Sequence, residues 1–210
     1  GLNGDNQTLP IFTTNYDMLI EDLVSEFNDH NGLITKLENG IPRQREQAAW
    51  NKSGFECYNR DNSVVFHLHR LHGCVCWFYH DEDSNIYFHR CNATSQQTDK
   101  LYAMYPGRER KRGIGPHGHS FRAFYQYLQE CDLIVFIGFS FRDDDVMHVL
   151  LKALAERRTK PKILIVDRVF TRDDVISKLD DSSQRSAFPT RLPKDKEIDS
   201  IKMRFGIDND

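Results

Sequence analysis

Polar residues of kinds that bind ligands follow three of the predicted strands. Thr13, Thr14 and Asn15 come after an apolar step, Gly138 to Ser140 end an apolar run, and Asp167 ends the next one. An amide donates and accepts hydrogen bonds, a carboxylate accepts them from hydroxyl groups, and glycine lets a backbone approach a phosphate or ribose. In open α/β sheets, ligands bind beyond the carboxyl ends of the strands. The three clusters therefore predict a site for a phosphate- or ribose-containing ligand.

A histidine stands at the end of another strand-like stretch, "HLHRLHG", which runs from His67 to Gly73. His72 lies directly before the glycine, where an imidazole can reach a cleft. Because histidine titrates closer to neutrality than other side chains, His72 is the natural proton acceptor. Strand alternation places His67 and His69 on the other face, and we favour a structural role for both.

Each of these polar residues also has a purely structural interpretation. Asparagine is among the best helix N-caps, so Asn15 fits the start of a following helix. A strand-to-helix turn often needs glycine, as at Gly138, and Asp167 fits a turn or a cap. His72 fits a hydrogen-bonded structural histidine. From the residues alone, both interpretations stay open.

A zinc site is the third interpretation that the residue types raise. The side chains that could ligate zinc are His67, His69, Cys74, Cys76, His80, His89 and Cys91. A zinc ribbon uses two C-x-x-C pairs, and the Cys74-x-Cys76 spacing does not match them. Strand alternation puts both cysteines on one face, toward the core. We therefore predict no metal site.

Apolar spacing predicts the elements that position the N-terminal cluster. A short strand at Ile11–Thr14 leads directly into a helix that ends near Asn28–Gly32. Residues 33–62 are expected to be irregular, with a short helix at Arg43–Trp50. The apolar face of the first helix is formed by Tyr16, Leu19, Ile20, Leu23, Val24 and Phe27.

The middle of the chain reads as a strand and a hairpin. Ser63–Gly73 is rich in β-branched and alternating residues, and a hairpin follows from Val75 to Cys91. Residues 92–119 are expected to be loops. Ser120 is predicted to cap a helix whose apolar face contains Phe121, Phe124, Tyr125 and Leu128.

The C-terminal part has a sharper pattern. Asp132–Ser140 is predicted to be a strand buried on both faces, Arg142–Asp145 to open a helix, and Lys162–Arg168 to be a second buried strand. Thr171–Asp174 fits a capping box. Beyond Asp180 we expect a strand or two and a loose tail.

Strand, helix and strand with short links form a βαβ unit, whose strands are parallel with a right-handed crossover. The predicted fold class is α/β, a Rossmann-like three-layer sandwich with a mostly parallel sheet and a small inserted β-hairpin and loop region. We expect residues 1–170 to form one domain and residues 171–210 a C-terminal extension of it.

The composition is that of an ordinary globular chain of 210 residues, with 39% hydrophobic and 28% charged residues. The net charge of -3 predicts neither direct nucleic-acid binding nor a membrane surface, because acidic runs offset the basic patches. Five cysteines without a regular framework fit a reducing compartment. We expect a cytoplasmic protein without a membrane span.

Three motifs in a fixed order carry a family resemblance. They are "TTNYD" (Thr13–Asp17), "RLHG" (Arg70–Gly73) and "GFSFRDDD" (Gly138–Asp145), each at a predicted strand end. Together they resemble the sirtuin-like family, and more narrowly the bacterial sirtuin-like domains of anti-phage defence proteins, many of which consume NAD. The resemblance covers Ile11 to Asp167 and implies NAD as the substrate.

The resemblance assigns roles position by position. It implies that Asn15 and His72 are catalytic, that Gly138 and Ser140 contact the dinucleotide, and that Asp167 contacts the adenosine ribose. The implied reaction is NAD glycohydrolysis to nicotinamide and ADP-ribose. A non-catalytic module that binds NAD or ADP-ribose and an NAD-dependent protein deacylase are the alternatives.

The same resemblance extends the cofactor contacts. It implies that Asp17 lies near the nicotinamide pocket, and Thr13 and Thr14 belong to the same polar cluster. Thr14 replaces the glutamine of protein-deacylating sirtuins, and their paired C-x-x-C zinc knuckles are absent, which argues against deacylation. The family's first strand, with its G-A-G-x-S phosphate loop, is expected upstream of Thr13, so we expect this chain to lack it. Regulation by homo-oligomerisation or by a partner or sensor domain is also implied.

Overall fold

The structure is a computed structural model that describes residues 8–31, 35–41, 47–55, 64–80, 85–89, 100–103, 115–159, 161–167, 177 and 198–201. It divides into two compact units, Gly1–Ala123 and Phe124–Asp210. The helices are α1 (Leu19–Asn31), α2 (Gly115–Glu130) and α3 (Asp144–Glu156). The strands are β1 (Thr8–Thr13), β2 (Thr35–Glu38), β3 (Gln47–Ala49), β4 (Val64–Arg70), β5 (Gly73–His80), β6 (Asn85–His89), β7 (Lys100–Ala103), β8 (Leu133–Ile137), β9 (Lys162–Val166) and β10 (Ile198–Ile201).

The first unit contains a parallel sheet in the order β1-β4-β2. The central strand β4 contains two valines, a phenylalanine and a leucine, and Val65 and Leu68 are almost fully buried. Parallel strands with both faces covered need such apolar residues. Thr13, the last residue of β1, lies opposite Arg70, the last residue of β4. The two strands therefore end side by side.

An antiparallel sheet in the order β3-β6-β5-β7 follows in the same unit. The predicted hairpin is confirmed, because β5 pairs antiparallel with β6 from Trp77 opposite Phe88 to His80 opposite Asn85. Its turn lies outside the described residues. Cys74 and Cys76 are buried in a core cluster, as the strand alternation predicts.

The second unit contains a parallel sheet in the order β10-β9-β8. The predicted helix after "RDDD" is confirmed as α3, and Asp143 caps it by accepting hydrogen bonds from the N–H groups of Asp145 and Val146. Strands β8 and β9 pair in parallel on either side of this helix in the chain. The α/β class with mostly parallel, Rossmann-like strands and an inserted antiparallel region is confirmed.

Two predicted helix starts are wrong. Helix α1 begins at Leu19, not directly after the strand, because the side chain of Asp17 accepts the Leu19 N–H and sets the entry turn. Helix α2 begins at Gly115, so Ser120 lies inside it. Pro116 lacks an N–H group, and the first helical turn does not need one.

Three short strands replace regions that were expected to be irregular or helical. Residues 47–49 of the predicted helix Arg43–Trp50 form β3, which pairs antiparallel with β6. Residues 35–38 form β2 beside β4, and residues 100–103 form β7 beside β5. Pairing with a neighbouring strand overrides weak local propensity in such short segments.

Two predicted apolar faces are partly exposed. On α1, Leu19, Leu23 and Phe27 are exposed. On β8, Ile134 and Phe136 are buried but the alternate residues face outward, and Ile137 is 75% exposed. An apolar run shows that a strand can be buried and does not specify how many of its faces are covered. The capping box at Thr171–Asp174 and the predicted domain boundary at residue 170 lie outside the described residues.

None of the helices in the described residues is both long and apolar enough to cross a membrane.

Candidate functional site

The two predicted catalytic residues follow neighbouring strand ends. Thr13 and Arg70 are paired in parallel register, and the Leu71 N–H donates to the Thr13 carbonyl oxygen over 2.9 Å. Asn15 and His72 each come two residues after that pair. The register therefore brings the "TTNYD" and "RLHG" segments to the same edge of the sheet.

Arg70 links these two segments through its side chain. Its Nη1 donates to the backbone carbonyl oxygen of Asn15 over 3.1 Å. Its Nη2 contacts both carboxylate oxygens of Glu21 on α1, at 2.7 and 2.6 Å. Only 1% of the Arg70 side chain and 14% of the Glu21 side chain are exposed. A buried ion pair of this kind holds the two motifs in one arrangement, since breaking it would leave a buried charge.

Three further contacts tie the segments together. The Val75 N–H donates to the Tyr16 carbonyl oxygen over 3.0 Å, and the Cys74 thiol lies 3.3 Å from the Met18 sulfur. The ring of Tyr16 is tilted against the ring of His72, with centroids 6.1 Å apart. Tyr16, the residue that follows Asn15, therefore links the "TTNYD" segment to the imidazole of His72 through its ring.

Asn15 does not cap the helix. It is exposed and precedes the first residue of α1 by four positions, which is too far for an N-cap. Its backbone N–H donates to the side-chain oxygen of Thr13 over 3.1 Å. Asp17 instead uses its carboxylate for the entry turn of α1. The capping interpretation is therefore wrong for Asn15, and its amide faces the surface.

Thr13, Thr14 and Asp17 surround Asn15 in the chain. Thr13 and Thr14 are half-buried and Asp17 is exposed. The side chains of Thr13 and Asp17 each accept a backbone N–H, so both shape the turn that presents Asn15. One Asp17 carboxylate oxygen accepts that bond, and a carboxylate has capacity for several more.

Glycine is required directly after His72. Gly73 has φ +90°, and a Cβ added to it would lie 2.6 Å from the Tyr102 carbonyl oxygen, 3.1 Å from the Ala103 Cα and 3.2 Å from the Cε1 of His117. A side chain at this position would meet both the strand β7 and the helix α2. The turn that carries His72 is therefore tightly enclosed, while His72 itself is half-buried.

His67 and His69 belong to an aromatic stack. The ring of His69 lies between Phe12 and Phe55, with centroids 4.8 and 4.6 Å away and nearly parallel planes. Burial, followed by the neighbouring imidazoles of His119 and His67, lowers the pKa of His69 to about 3. A neutral, stacked ring is a packing group, in line with the predicted structural role.

The second unit brings Gly138 and Asp167 to neighbouring strand ends. Ile137 pairs with Val166, and the Gly138 N–H donates to the Val166 carbonyl oxygen over 2.9 Å. Gly138 and Asp167 each follow this pair by one residue. Gly138 has φ +60°, and no described atom lies within 4 Å of the place where a Cβ would stand. The backbone at Gly138 is thus open to a ligand.

The turn after Gly138 has a fixed, strained shape. Phe141 has φ 55°, a left-handed conformation that is rare for a bulky residue. Its ring is buried and lies edge-on to Phe136 and Phe139, each with centroids 4.9 Å away. The aromatic packing stabilises the strained backbone, and Ser140 is exposed within the turn. Such strain is concentrated at ligand-binding sites.

A metal site is not assembled by the part of the chain that the structure describes, where no group of three or more His, Cys, Asp or Glu side chains could hold an ion. Cys74 and Cys76 are buried in the core, and burial raises the pKa of Cys74. Cys91 lies outside the described residues.

Three contributors to this geometry escape sequence reasoning. Arg70 lies within a recognised motif, but its partner Glu21 is 49 positions away in the chain. His117 lies in "GPHGH", which reads as a loop because of its glycines and proline. These glycines and the proline disfavour a helix, so the sequence does not predict the helix α2 that brings His117 to the turn. The sequence offers one signal: strand alternation places Arg70, which directly precedes "LHG", on the same face of the strand as the apolar Leu68.

The family model for the SIR2-like domain matches residues 10–187. The chain therefore belongs to the SIR2-like family. Among curated proteins, none matches the chain. A solved structure described as "Structural Basis for the Mechanism and Regulation of Sir2 Enzymes" is similar at 13% identity and a TM-score of 0.35, over 59% of this chain and 62% of that one. The chain thus spans about three-fifths of that structure's length.

Proposed function

We propose that this chain is an NAD⁺ glycohydrolase, which releases nicotinamide and ADP-ribose. The supporting observation is the pairing of Thr13 with Arg70, because it presents Asn15 and His72 at one edge of a parallel sheet. Membership in the SIR2-like family supports NAD as the ligand. In open parallel sheets, ligands bind at the edge formed by the carboxyl ends of the strands.

Asn15 is assigned to the ribose of the scissile bond. Its side chain is exposed, and its backbone is fixed by hydrogen bonds to Thr13 and Arg70. An amide that donates and accepts can orient a ribose hydroxyl and a water molecule together. Bound NAD⁺ supplies a nicotinamide–ribose bond whose cleavage builds positive charge on the sugar. The oxygen of an amide placed beside the sugar stabilises that charge.

His72 is assigned as the general base. Its ring is half-buried beside Tyr16, on a turn that Gly73 keeps tight. It would take a proton from the attacking water, and a correctly placed base of this kind contributes about 10²- to 10⁴-fold in rate. Cys74, directly after this turn, is buried and serves the core.

The remaining predicted contacts complete the proposal. Thr13 and Asp17 shape the turn around Asn15. We assign Thr13 and Thr14 to contacts with NAD⁺, and Asp17 to the carboxamide of the leaving nicotinamide. In the second unit, we assign Gly138 and Ser140 to the dinucleotide backbone and Asp167 to the adenosine ribose. The open surface at Gly138 and the half-buried carboxylate at Asp167 fit these roles.

The biological setting is part of the same proposal. An NAD-consuming enzyme harms its host when it is always active, so its activity needs control. We propose that the chain is the effector part of a bacterial anti-phage defence protein in the cytoplasm, and that a homo-oligomer or a partner or sensor domain switches it on. The resemblance of the three motifs supports this setting.

The experiment follows nicotinamide and ADP-ribose by chromatography after incubating the natural full-length protein with NAD⁺. Asn15→Ala and His72→Ala should each lower the rate about 10²- to 10⁴-fold while thermal unfolding stays unchanged. Full turnover by either variant contradicts the assigned mechanism.

Matched controls lie at the other end of the hairpin. His80 and Asn85 are paired with one another, and His80 is seven residues along β5 from Gly73, about 23 Å at 3.3 Å per residue. His80→Ala and Asn85→Ala should keep full activity. NAD⁺ binding without cleavage would identify a sensor module instead. Deacetylation of an acetylated peptide would identify a deacylase.

A further inference from the structure

We propose that His117 is a positioning residue for His72. This inference rests on the proposed function, since it concerns the general base of that reaction. His117 is the third residue of α2, and only 4% of it is exposed. Its ring stacks on Tyr102 with centroids 4.6 Å apart and planes 17° from parallel. The helix and the strand β7 thus fix this ring in one orientation.

His117 contacts the turn on both sides of His72. Its ring donates a hydrogen bond to the backbone carbonyl of Leu71, directly before His72. Its Cε1 lies 3.2 Å from the place where a Cβ of Gly73 would stand, directly after His72. The residue between two such contacts has little freedom to move its backbone. His117 therefore determines where the imidazole of His72 can point.

The protonation state of His117 suits this role. Its pKa is lowered to about 4, mainly by burial; the hydrogen bond to Leu71 opposes this shift, and the neighbouring His72 adds to it. His117 is neutral at neutral pH. It therefore neither competes with His72 for a proton nor repels it once His72 is protonated.

A purely structural role does not explain the choice of histidine. The Nδ1 of His117 is buried and has no hydrogen-bond partner among the described residues, so Nε2 is the nitrogen that donates to Leu71. A buried unpaired nitrogen costs about 1–3 kcal/mol, which phenylalanine would avoid while keeping the stack on Tyr102. The Nε2 hydrogen bond to the turn is the property that only histidine adds.

The test compares three variants of the natural full-length protein. His117→Phe keeps the stacked ring and removes the donor, and His117→Gln restores a donor at the position of Nε2. His119→Phe is the matched control, because it lies on the same helix and stacks on Phe55 instead. The readouts are the kcat and KM of NAD⁺ cleavage, thermal unfolding and the imidazole signals of His72 in ¹⁵N NMR spectra.

We expect His117→Phe to lower kcat by roughly 10- to 100-fold, as a small misplacement of a catalytic group does. KM should change by less than about twofold, because substrate binding is not altered. His117→Gln should recover most of kcat, His119→Phe should behave as the unaltered protein, and the His72 signals should shift or broaden only in His117→Phe.

Two outcomes overturn the proposal. The first is an unaltered kcat in His117→Phe. The second is a parallel loss of kcat and thermal stability in His117→Phe without rescue in His117→Gln, which would make His117 structural. If the unaltered protein does not cleave NAD⁺, the proposed function fails by itself. The NMR signals then decide: unaltered His72 signals in His117→Phe contradict positioning, and altered signals support it.

Discussion

The guanidinium of Arg70 donates a hydrogen bond to the backbone carbonyl of Asn15 over 3.1 Å, although the two residues are 55 positions apart in the chain. Arg70 also precedes His72 by two residues. One side chain therefore joins the backbone at Asn15 to the strand end that carries His72, and these are the two residues to which we assign the reaction. Its other nitrogen is held by Glu21, so α1 takes part in fixing the same edge.

Removing the Arg70 charge should lower both stability and activity. In Arg70→Met, the carboxylate of Glu21 loses its buried partner, and we expect the free energy of unfolding to fall by about 3–5 kcal/mol. Arg70→Lys keeps the charge but lacks the second nitrogen that reaches Asn15. Arg70→Lys should therefore fold and lose cleavage activity, measured as nicotinamide release alongside thermal unfolding.

Arg157 offers a matched control for Arg70→Lys. It donates to the backbone carbonyl oxygens of Leu128 and Cys131 in the second unit, which also requires two nitrogens. Arg157→Lys should lower the melting temperature without a specific loss of turnover per folded molecule. Equal activity losses in the two variants, at equal folded fractions, would contradict a positioning role for Arg70.

The variant Gly138→Ala tests whether the backbone at Gly138 contacts the ligand, because it affects ligand binding and protein stability to different extents. With φ +60°, Gly138→Ala strains the backbone and should cost about 1–2 kcal/mol of stability. No described atom lies within 4 Å of the added Cβ, so the protein itself has room for it. A bound dinucleotide would meet that methyl group. We expect the loss of binding free energy for NAD⁺, measured by calorimetry as a rise in Kd, to be much larger than the loss of folding free energy. An unchanged Kd would remove Gly138 from the ligand site.

Much of the second unit could be predicted from the sequence because its signals are local. A helical pattern of apolar residues follows "RDDD", and these acidic residues supply both the cap at Asp143 and the acidic first turn of α3. The short links around α3 predict parallel strands, which the pairing of β8 with β9 confirms. By contrast, an apolar strand carries no information about which face is covered, so the exposure of Ile137 could not be predicted.

The candidate site was predicted only in part because its supports are long-range. Strand ends located Asn15 and His72, since the sheet edge follows from the strand pattern. The ion pair between Arg70 and Glu21 joins residues that no local pattern relates. His117 was missed because glycine and proline disfavour a helix that tertiary contacts, including the stack on Tyr102, hold in place.

The buried histidine of the aromatic stack makes stability depend on pH. The pKa of His69 is about 3 in the folded chain and 6.5 in the unfolded one. Between these values the unfolded chain binds a proton that the folded chain does not, so the free energy of unfolding falls as the pH decreases from 6.5 toward 3. Above pH 6.5 the effect is absent.

His69→Phe tests this pH dependence, because phenylalanine keeps the stack between Phe12 and Phe55 and cannot be protonated. Between pH 7 and pH 4, we expect the free energy of unfolding to fall by about 3 kcal/mol less in the variant than in the unaltered protein. Urea unfolding at a series of pH values provides the measurement. Identical pH profiles for the two proteins would show that His69 is protonated equally in both states.

Nicotinamide release by the double variant Asn15→Ala/His72→Ala, compared with both single variants, measures whether the two side chains serve one step. If the amide and the imidazole act on the same ribose, the double variant should be no slower than the slower single variant, because residues that act as a unit are not additive. Rate losses that multiply, or a single variant with full turnover, would contradict the convergence of Asn15 and His72 on one sugar.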